Sequence, residues 1–274
     1  MTSEDRGTPT VDDDGAGDPR SSSVPPGAEP PTGEKAGTKA ERRKLSGWQE
    51  TVLLLVVAVA LALVVKSFFV QSFYIPSESM EPGLVINDRI LVQKPSYWFG
   101  GEPQRGDVIV FEDPGGWLPA TESAGPTSPV AKGLAAVGLY PTGGHLVKRV
   151  IGVAGDVIEC CDDQGRLMVN GQPVDESEYA VLDGADCYGP MPDQCSDGWT
   201  AGPVPEGHLF VMGDNRSHSG DSSARLCRPR NPDCGAPYVD TDLVVGRLFA
   251  RVWPAKRFDI TDGVDAFDDV PAPS

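Results

Sequence analysis

The chain is expected to fold as a mainly β domain preceded by one N-terminal transmembrane helix. Three observations carry this. An apolar run from Val52 to Val65 has basic residues clustered on one side only. From about residue 84 the pattern changes to short runs rich in Val, Ile, Leu and Phe, bounded by Gly, Pro, Asp and Asn. Apart from a stretch near Val130 to Leu139, no helical periodicity follows the apolar run. With 274 residues, core size is not limiting.

The helix comes first. A span needs about 20 residues, and Trp48 to Val70 supplies them if Lys66 snorkels toward the outer interface. Trp48 and Phe68-Phe69 then sit near the two headgroup zones. Lys35, Lys39, Arg42, Arg43 and Lys44 precede the run, which places the N-terminus in the cytoplasm and the bulk of the chain outside. The competing reading is a cleaved secretory signal, since the apolar core alone has the length of such a segment. Cleavage wants small residues, and Lys66-Ser67-Phe68-Phe69-Val70-Gln71 offers bulky ones. An uncleaved anchor in the cytoplasmic membrane is therefore preferred, with the lipid bilayer as a partner.

Four segments follow from this. They are a disordered cytoplasmic tail over 1–44, the transmembrane helix over 45–70, an extracytoplasmic β domain over 71–258, and an acidic C-terminal tail over 259–274. Residues 1–34 hold eight acids and two arginines among many Pro, Gly and Ser, as expected of a solvated tail. After Arg257 only acidic charges occur, and solubility is the simplest reading of both ends. The net charge of −17 leaves no basic stripe for phosphates, which argues against nucleic acid as a partner.

Strands are expected over Asp88–Lys94, Asp107–Glu112, Leu146–Gly152 and Asp156–Cys160. Further strands are expected over Leu167–Asn170, His208–Met212 and Leu243–Trp253, with a hairpin turn at Val169-Asn170-Gly171-Gln172. Two Gly- and Pro-rich insertions, 114–144 and 179–205, interrupt the pattern. Tyr97-Trp98-Phe99 is an aromatic cluster beside a turn, open to core packing or to a membrane-facing role. Six cysteines suit an oxidising compartment. Cys187 with Cys195, and Cys227 with Cys234, bracket short loops where local disulfides fit, although spacing cannot fix connectivity. Cys160-Cys161 has no obvious partner, and no tight Cys or His spacing supports zinc.

Candidate chemistry lies in Ile75-Pro76-Ser77-Glu78-Ser79-Met80-Glu81-Pro82, immediately beyond the anchor. Pro76 fixes its own φ and favours an extended Ile75, and Pro82 ends the segment, so Ser79 sits on a short rigid elbow. A hydroxyl attacks an amide only after a base takes its proton. His145, His208 and His218 could each complete a Ser-His-Asp arrangement. Lys148 is the alternative, because it lies in a strand whose Val147, Val150 and Ile151 are apolar and so could enter a dry cleft. Edge-strand protection is the plainer explanation of such a lysine. A free ammonium titrates near about 10.4, and lowering it by roughly 2–3 units takes about 3–4 kcal/mol of desolvation or repulsion.

Taken together, these motifs resemble a known family. The Ile75–Pro82 tract, then Arg105-Gly106-Asp107-Val108-Ile109-Val110-Phe111, follow in order. Lys148-Arg149-Val150-Ile151-Gly152 with Gly155-Asp156 comes next, and then Gly213-Asp214-Asn215-Arg216 with Ser219 and Asp221-Ser222. No single box is diagnostic. Four in this order behind an N-terminal anchor are similar to the bacterial type I signal peptidases, a Ser/Lys membrane protease family, over about residues 48–253.

The resemblance implies a signal-peptidase-like mixed β-sheet or barrel domain that cuts signal peptides from exported pre-proteins through an acyl-enzyme. It implies no metal and no organic cofactor. It makes Ser79 the nucleophile and Lys148 the general base, with the Ser79 N–H and the Ser77 hydroxyl as the oxyanion hole. Ser219 would hold the lysine amine, while Asp221, Arg216 and Arg149 would form a supporting polar network. Phe73, Ile75, Met80, Leu84 and Val147 would line shallow apolar pockets selecting Ala-x-Ala-like sites. The partners implied are signal peptides, the bilayer and the secretion machinery.

Four positions depart from the family pattern: Glu78 stands for the usual Gly, Gly83 for Thr, His218 for Asn, and Ser223 for Arg. Glu78 would disturb the lysine unless it pointed to solvent, and Arg225 could stand in for the missing arginine. A Ser-His-Asp hydrolase and a catalytically inactive anchored binding protein are the rival readings.

Overall fold

The computed structural model of the protein describes residues 46–119, 125, 128–136, 143–181, 198–227, 234–261 and 263–273. Helix α1 spans Gly47–Phe68, 22 residues of almost unbroken Leu, Val and Ala. At 1.5 Å per residue it is about 33 Å long, enough to cross the hydrocarbon core of a bilayer. Its apolar side chains are exposed all round, a surface that suits lipid and not water. The expected snorkelling of Lys66 concerns a side chain outside the described set.

The helix stops short of the expected boundary at residue 70. Strand β1, Val70–Tyr74, begins almost at once and pairs antiparallel with β2, Arg89–Gln93, from Val70 opposite Gln93 to Tyr74 opposite Arg89. This strand was not anticipated, because its VQSFY sequence merges with the end of the apolar run.

The remaining strands follow in chain order. They are β3 (Val108–Glu112), β4 (His145–Gly152), β5 (Ile158–Cys160), β6 (Met168–Val169) and β7 (Gln172–Pro173). Then come β8 (Trp199–Ala201), β9 (His208–Met212), β10 (Val239–Asp240), β11 (Val244–Trp253) and β12 (Asp259–Ile260). Every expected strand is present, trimmed by a residue or two at half of the ends, and β4 begins one residue earlier than expected. The main sheet runs β1-β2-β11-β3-β4-β9-β10, with β12 also on β11, and a smaller sheet runs β7-β6-β5-β8. All pairings between these strands are antiparallel. The β6–β7 turn places Asn170 and Gly171 at φ 52° and 78°, the paired left-handed residues of a type I′ hairpin.

Three apolar clusters form the core. One lies beneath the nucleophile tract and packs Ile75, Met80 and Leu84 against Ile90, Val92, Val108, Val110 and Leu248. A second joins Ile109, Phe111, Val150 and Val211. The third joins the small sheet to Ile151, Phe210 and Met212 of β4 and β9. The aromatic trio belongs to a 3₁₀ turn over Pro95–Gly100. Tyr97 donates its hydroxyl to Asp107 at 3.2 Å, and the Trp98 ring lies 5.6 Å from Phe69 at the foot of α1. The Phe99 side chain is outside the described set. The expected helical stretch near Val130 appears as α2, Pro129–Ala136, and its expected extension to Leu139 lies outside the described residues.

Two expectations need correction. Residues 259–273 are not a solvated tail: β12 pairs with β11, while Phe267 and Val270 are buried in the third cluster. Arg105 donates to the carbonyls of Val270 and Pro271, fixing the segment from the other side. Composition hides this because Asp268 and Asp269 face outward between the two apolar anchors. Cys160 and Cys161, expected to lack a partner, are disulfide-bonded to each other. Cys227 bonds Cys234, and the expected Cys187–Cys195 pair lies outside the described residues.

Burying Phe267 should therefore contribute to stability. Phe267→Ala is expected to lower the unfolding free energy by about 3 kcal/mol in denaturant titrations, whereas a solvated tail would make the change neutral.

Candidate active site

The nucleophile tract is a closed loop between β1 and β2. Ile75 N–H donates to Asp88 O and Asn87 N–H to Ile75 O, both at 3.0 Å, which ties its two ends. Inside, Glu81 N–H bonds Glu78 O at 3.0 Å and Leu84 N–H bonds Met80 O at 2.9 Å, so Ser79 starts a tight helical-type turn. Two arginines grip the far side. Arg257 pairs with buried Asp88 at 3.2 Å and donates to Gly83 O, and Arg251 also donates to Gly83 O. Neither arginine nor Asp88 was singled out from sequence, because each gains its role only when β11 and the turn after it fold against the loop.

Lys148 lies on β4 opposite Ile109 of β3. Its Nζ donates to Ser79 Oγ at 2.7 Å. Both side chains are buried, with Lys148 4% and Ser79 8% exposed. Burial pushes the Lys148 ammonium down to about 8, against the pull of Asp221 and Asp214, which favour the charge, and with a lesser push from Arg225. The amine is thus partly neutral near pH 8, as proton abstraction requires. Ser77 Oγ stands 3.3 Å from Ser79 Oγ. Among the described residues nothing accepts a hydrogen bond from the Ser79 N–H.

The Gly213–Arg216 turn closes the site from below. Asn215 donates its N–H to Ser79 O at 3.1 Å and its Nδ2 to Glu78 O at 3.2 Å. This approach requires glycine at 213, where a Cβ would collide with the Ser79 carbonyl oxygen and the Ser219 side chain. Asp214 accepts two hydrogen bonds from Arg149, at 2.8 and 2.7 Å, and Arg149 also donates to Gly106 O at 2.8 Å. Asp221 accepts from Gly213 N–H at 2.9 Å and from Ser223 N–H at 3.0 Å.

The supporting residues differ in detail from expectation. Ser219 is buried beside this turn, but its Oγ makes no hydrogen bond to Lys148 and has no partner among the described residues. Arg216 does not pair with Asp221. It pairs with Glu176, a residue from an acidic turn that carried no sequence signal, and donates to Gly213 O at 2.9 Å. The missing arginine at 223 is compensated differently from the expected swap. The Ser223 hydroxyl donates to Asp221 Oδ1 at 2.7 Å, while Arg225 reaches Asp221 only at its backbone carbonyl, at 3.1 Å, and also donates to Trp117 O.

Glu78 points outward, 51% exposed, with its carboxylate 3.9 Å from His218 Nε2 and no contact to the lysine amine. Ser79 Oγ bonds Lys148 and Ser77, and no histidine reaches it. His208 instead bonds Glu206 O, and the His145 ring lies 5.2 Å from Phe73. The five expected pocket residues do converge. Ile75, Met80 and Leu84 are buried together, with Phe73 and Val147 packed at their margin.

Comparison with known proteins adds the following. A family model described as "Signal peptidase, peptidase S26" matches residues 48–253. Signal peptidase I of Mycobacterium tuberculosis is 37% identical over 254 residues, covering 88% of this chain and 85% of that protein. A probable signal peptidase I of Mycobacterium leprae is 36% identical, covering 80% of this chain and 81% of that protein. A probable signal peptidase I-2 of Synechocystis is 33% identical, covering 80% of this chain and 79% of that protein.

The lowered lysine has a consequence for stability that does not depend on turnover. Between about pH 8 and the ordinary lysine range the unfolded chain holds a proton that the folded chain lacks, so stability rises with pH. Relative to Lys148→Met, the wild type should gain about 3 kcal/mol across that window. Parallel urea titrations of the two proteins from pH 7.5 to 10.5 check this, and a flat difference contradicts it.

Proposed function

Because the chain belongs to the signal peptidase, peptidase S26, family, we propose that it removes signal peptides from exported pre-proteins by a Ser79/Lys148 dyad. The observation that carries the reading is the 2.7 Å hydrogen bond from Lys148 Nζ to Ser79 Oγ inside a buried site.

The steps follow from that contact. The neutral amine takes the Ser79 proton as Oγ bonds the scissile carbonyl carbon. The oxyanion so formed is held by the Ser79 N–H and by the Ser77 hydroxyl, turned from Ser79 toward substrate. Each such donor is typically worth about 3–4 kcal/mol. The ammonium then protonates the leaving nitrogen, the C–N bond breaks, and the mature protein departs with its new N-terminus. Lys148 next deprotonates a water that attacks the ester, and Ser79 leaves with the proton. The chain's own groups complete this cycle.

Ile75, Met80 and Leu84, from the same loop as Ser79, pack together in one apolar cluster. A pocket that closes around a methyl group rejects larger side chains by clash, which supports Ala-x-Ala-like sites as substrates. Helix α1, the basic residues before it, and the β domain after it support a single-pass anchor with the cytoplasmic tail inside and the domain outside. Such an anchor holds protease and signal peptide in one thin layer and raises their effective concentration. Neither rival gains support. No histidine touches Ser79, and the departures at 78 and 223 leave the dyad unobstructed.

Cleavage of a pre-protein whose signal ends in Ala-x-Ala should be lost on Ser79→Ala and on Lys148→Met, and retained when His208 or His218 becomes alanine. For the wild type, kcat/KM should rise with pH through about 8, as the Lys148 ammonium gives up its proton. Retained activity in Lys148→Met, or loss on removal of either histidine, would overturn the dyad.

A further inference from the structure

The segment after β7 holds charge that the proposed reaction does not use. Glu176 is 1% exposed, Arg216 2% and Tyr179 7%. Burying a carboxylate and a guanidinium is costly unless each is closely partnered, so their partners matter. Glu176 Oε1 accepts from the Tyr179 hydroxyl at 2.6 Å and from Arg216 Nη2. Arg216 Nη1 donates to Gly213 O at 2.9 Å. The Arg149 guanidinium, paired with Asp214, lies 4.2 Å from the centre of the Tyr179 ring.

The backbone repeats the connection. Val181 forms a parallel bridge with Asn215, with Val181 N–H on Asp214 O at 2.9 Å and Arg216 N–H on Val181 O at 3.3 Å. Residues 176–181 therefore hold one side of the 213–216 turn, whose other side holds the carbonyls of Ser79 and Glu78 through Asn215.

We propose that Glu176 is a positioning residue for the Ser79 loop, acting through Arg216 and the Gly213–Asn215 turn. It neutralises Arg216 and aims it at Gly213 O, which sets Asn215 against the Ser79 carbonyl. Ser79 Oγ and N–H are thereby kept in register with Lys148. The inference rests on the proposed peptidase activity. The apolar pocket gains nothing from this linkage, so its loss should slow the chemical step without weakening substrate binding.

Glu176→Gln keeps the shape and removes the charge. Arg216 then stays buried without its carboxylate, facing Asp214 and Asp221, the same two acids that favour the Lys148 ammonium. Removing the Glu176 charge leaves the buried surroundings of the turn more positive, so the Lys148 proton leaves at lower pH.

The test is steady-state cleavage of an Ala-x-Ala pre-protein by the full chain in detergent from pH 6 to 10, with Ser79→Ala as blank. Glu176→Gln is expected to lower kcat about tenfold or more, keep KM within about twofold, and move the rising limb about half a pH unit lower. Unchanged kcat, or equal damage to kcat and KM with an unmoved limb, overturns the proposal. If that variant does not fold, Tyr179→Phe removes only the hydroxyl on Glu176 and keeps the ring beneath Arg149. It should lower kcat about threefold at constant KM, with the limb at its wild-type pH, and a wild-type kcat overturns the proposal. An inert wild type would sink the peptidase reading and this inference with it. An active wild type beside an indifferent Glu176→Gln sinks the inference alone.

Discussion

The proposed reaction depends on keeping one lysine amine uncharged against a serine hydroxyl. An ammonium in that position could donate to Ser79 but could not take its proton, so the hydrogen bond has chemical value only after the amine loses its charge. Burial on β4 works in that direction, and the nearby carboxylates work against it. Their placement explains why both are so fully occupied. Asp214 is committed to Arg149, and Asp221 to Gly213 N–H and Ser223. Each carboxylate accepts hydrogen bonds from groups other than the lysine, so neither becomes a direct ion-pair partner that would restore the ammonium.

The same constraint orders the surrounding fold. A serine that must meet a strand-borne lysine at 2.7 Å needs a loop with little freedom, and three sets of contacts provide this. Bonds between Ile75 and the Asn87–Asp88 pair close its base, Arg251 and Arg257 hold its far side, and Asn215 holds the Ser79 carbonyl. The apolar floor belongs to the same loop, since Met80 follows Ser79 and Leu84 closes the turn that Met80 opens. The buried apolar cluster and the fixed position of Ser79 are thus two results of one packing arrangement.

Much of this could be read from the residues. Short runs rich in Val, Ile, Leu and Phe between turn residues located most of the strands, and Asn170-Gly171 marked the hairpin of the smaller sheet directly. Ser79 stood out in a short tract bounded by Pro76 and Pro82, and Lys148 among apolar strand residues, while the pairing of the two came from the resemblance to the family. The parts that escaped are those whose meaning is purely tertiary. VQSFY reads as the end of an anchor until β2 lies beside it. Glu176 reads as one acid in a polar turn until Arg216 is buried against it. The C-terminal acids outweigh Phe267 and Val270 in composition, although those two apolar side chains decide where the segment goes. Ser219 and Arg216 show the converse limit, since position in a motif indicated the neighbourhood correctly but not the hydrogen-bond partners.

Direct titration of the lysine tests the central claim. With lysine side chains labelled with ¹³C at Cε and the Lys148 signal assigned by its absence in Lys148→Met, an NMR pH series on the detergent-solubilised protein reports that amine alone. A transition near pH 8 is the expected result. A transition in the ordinary lysine range, near about 10.4, would mean that the amine stays charged at working pH and cannot act as the base.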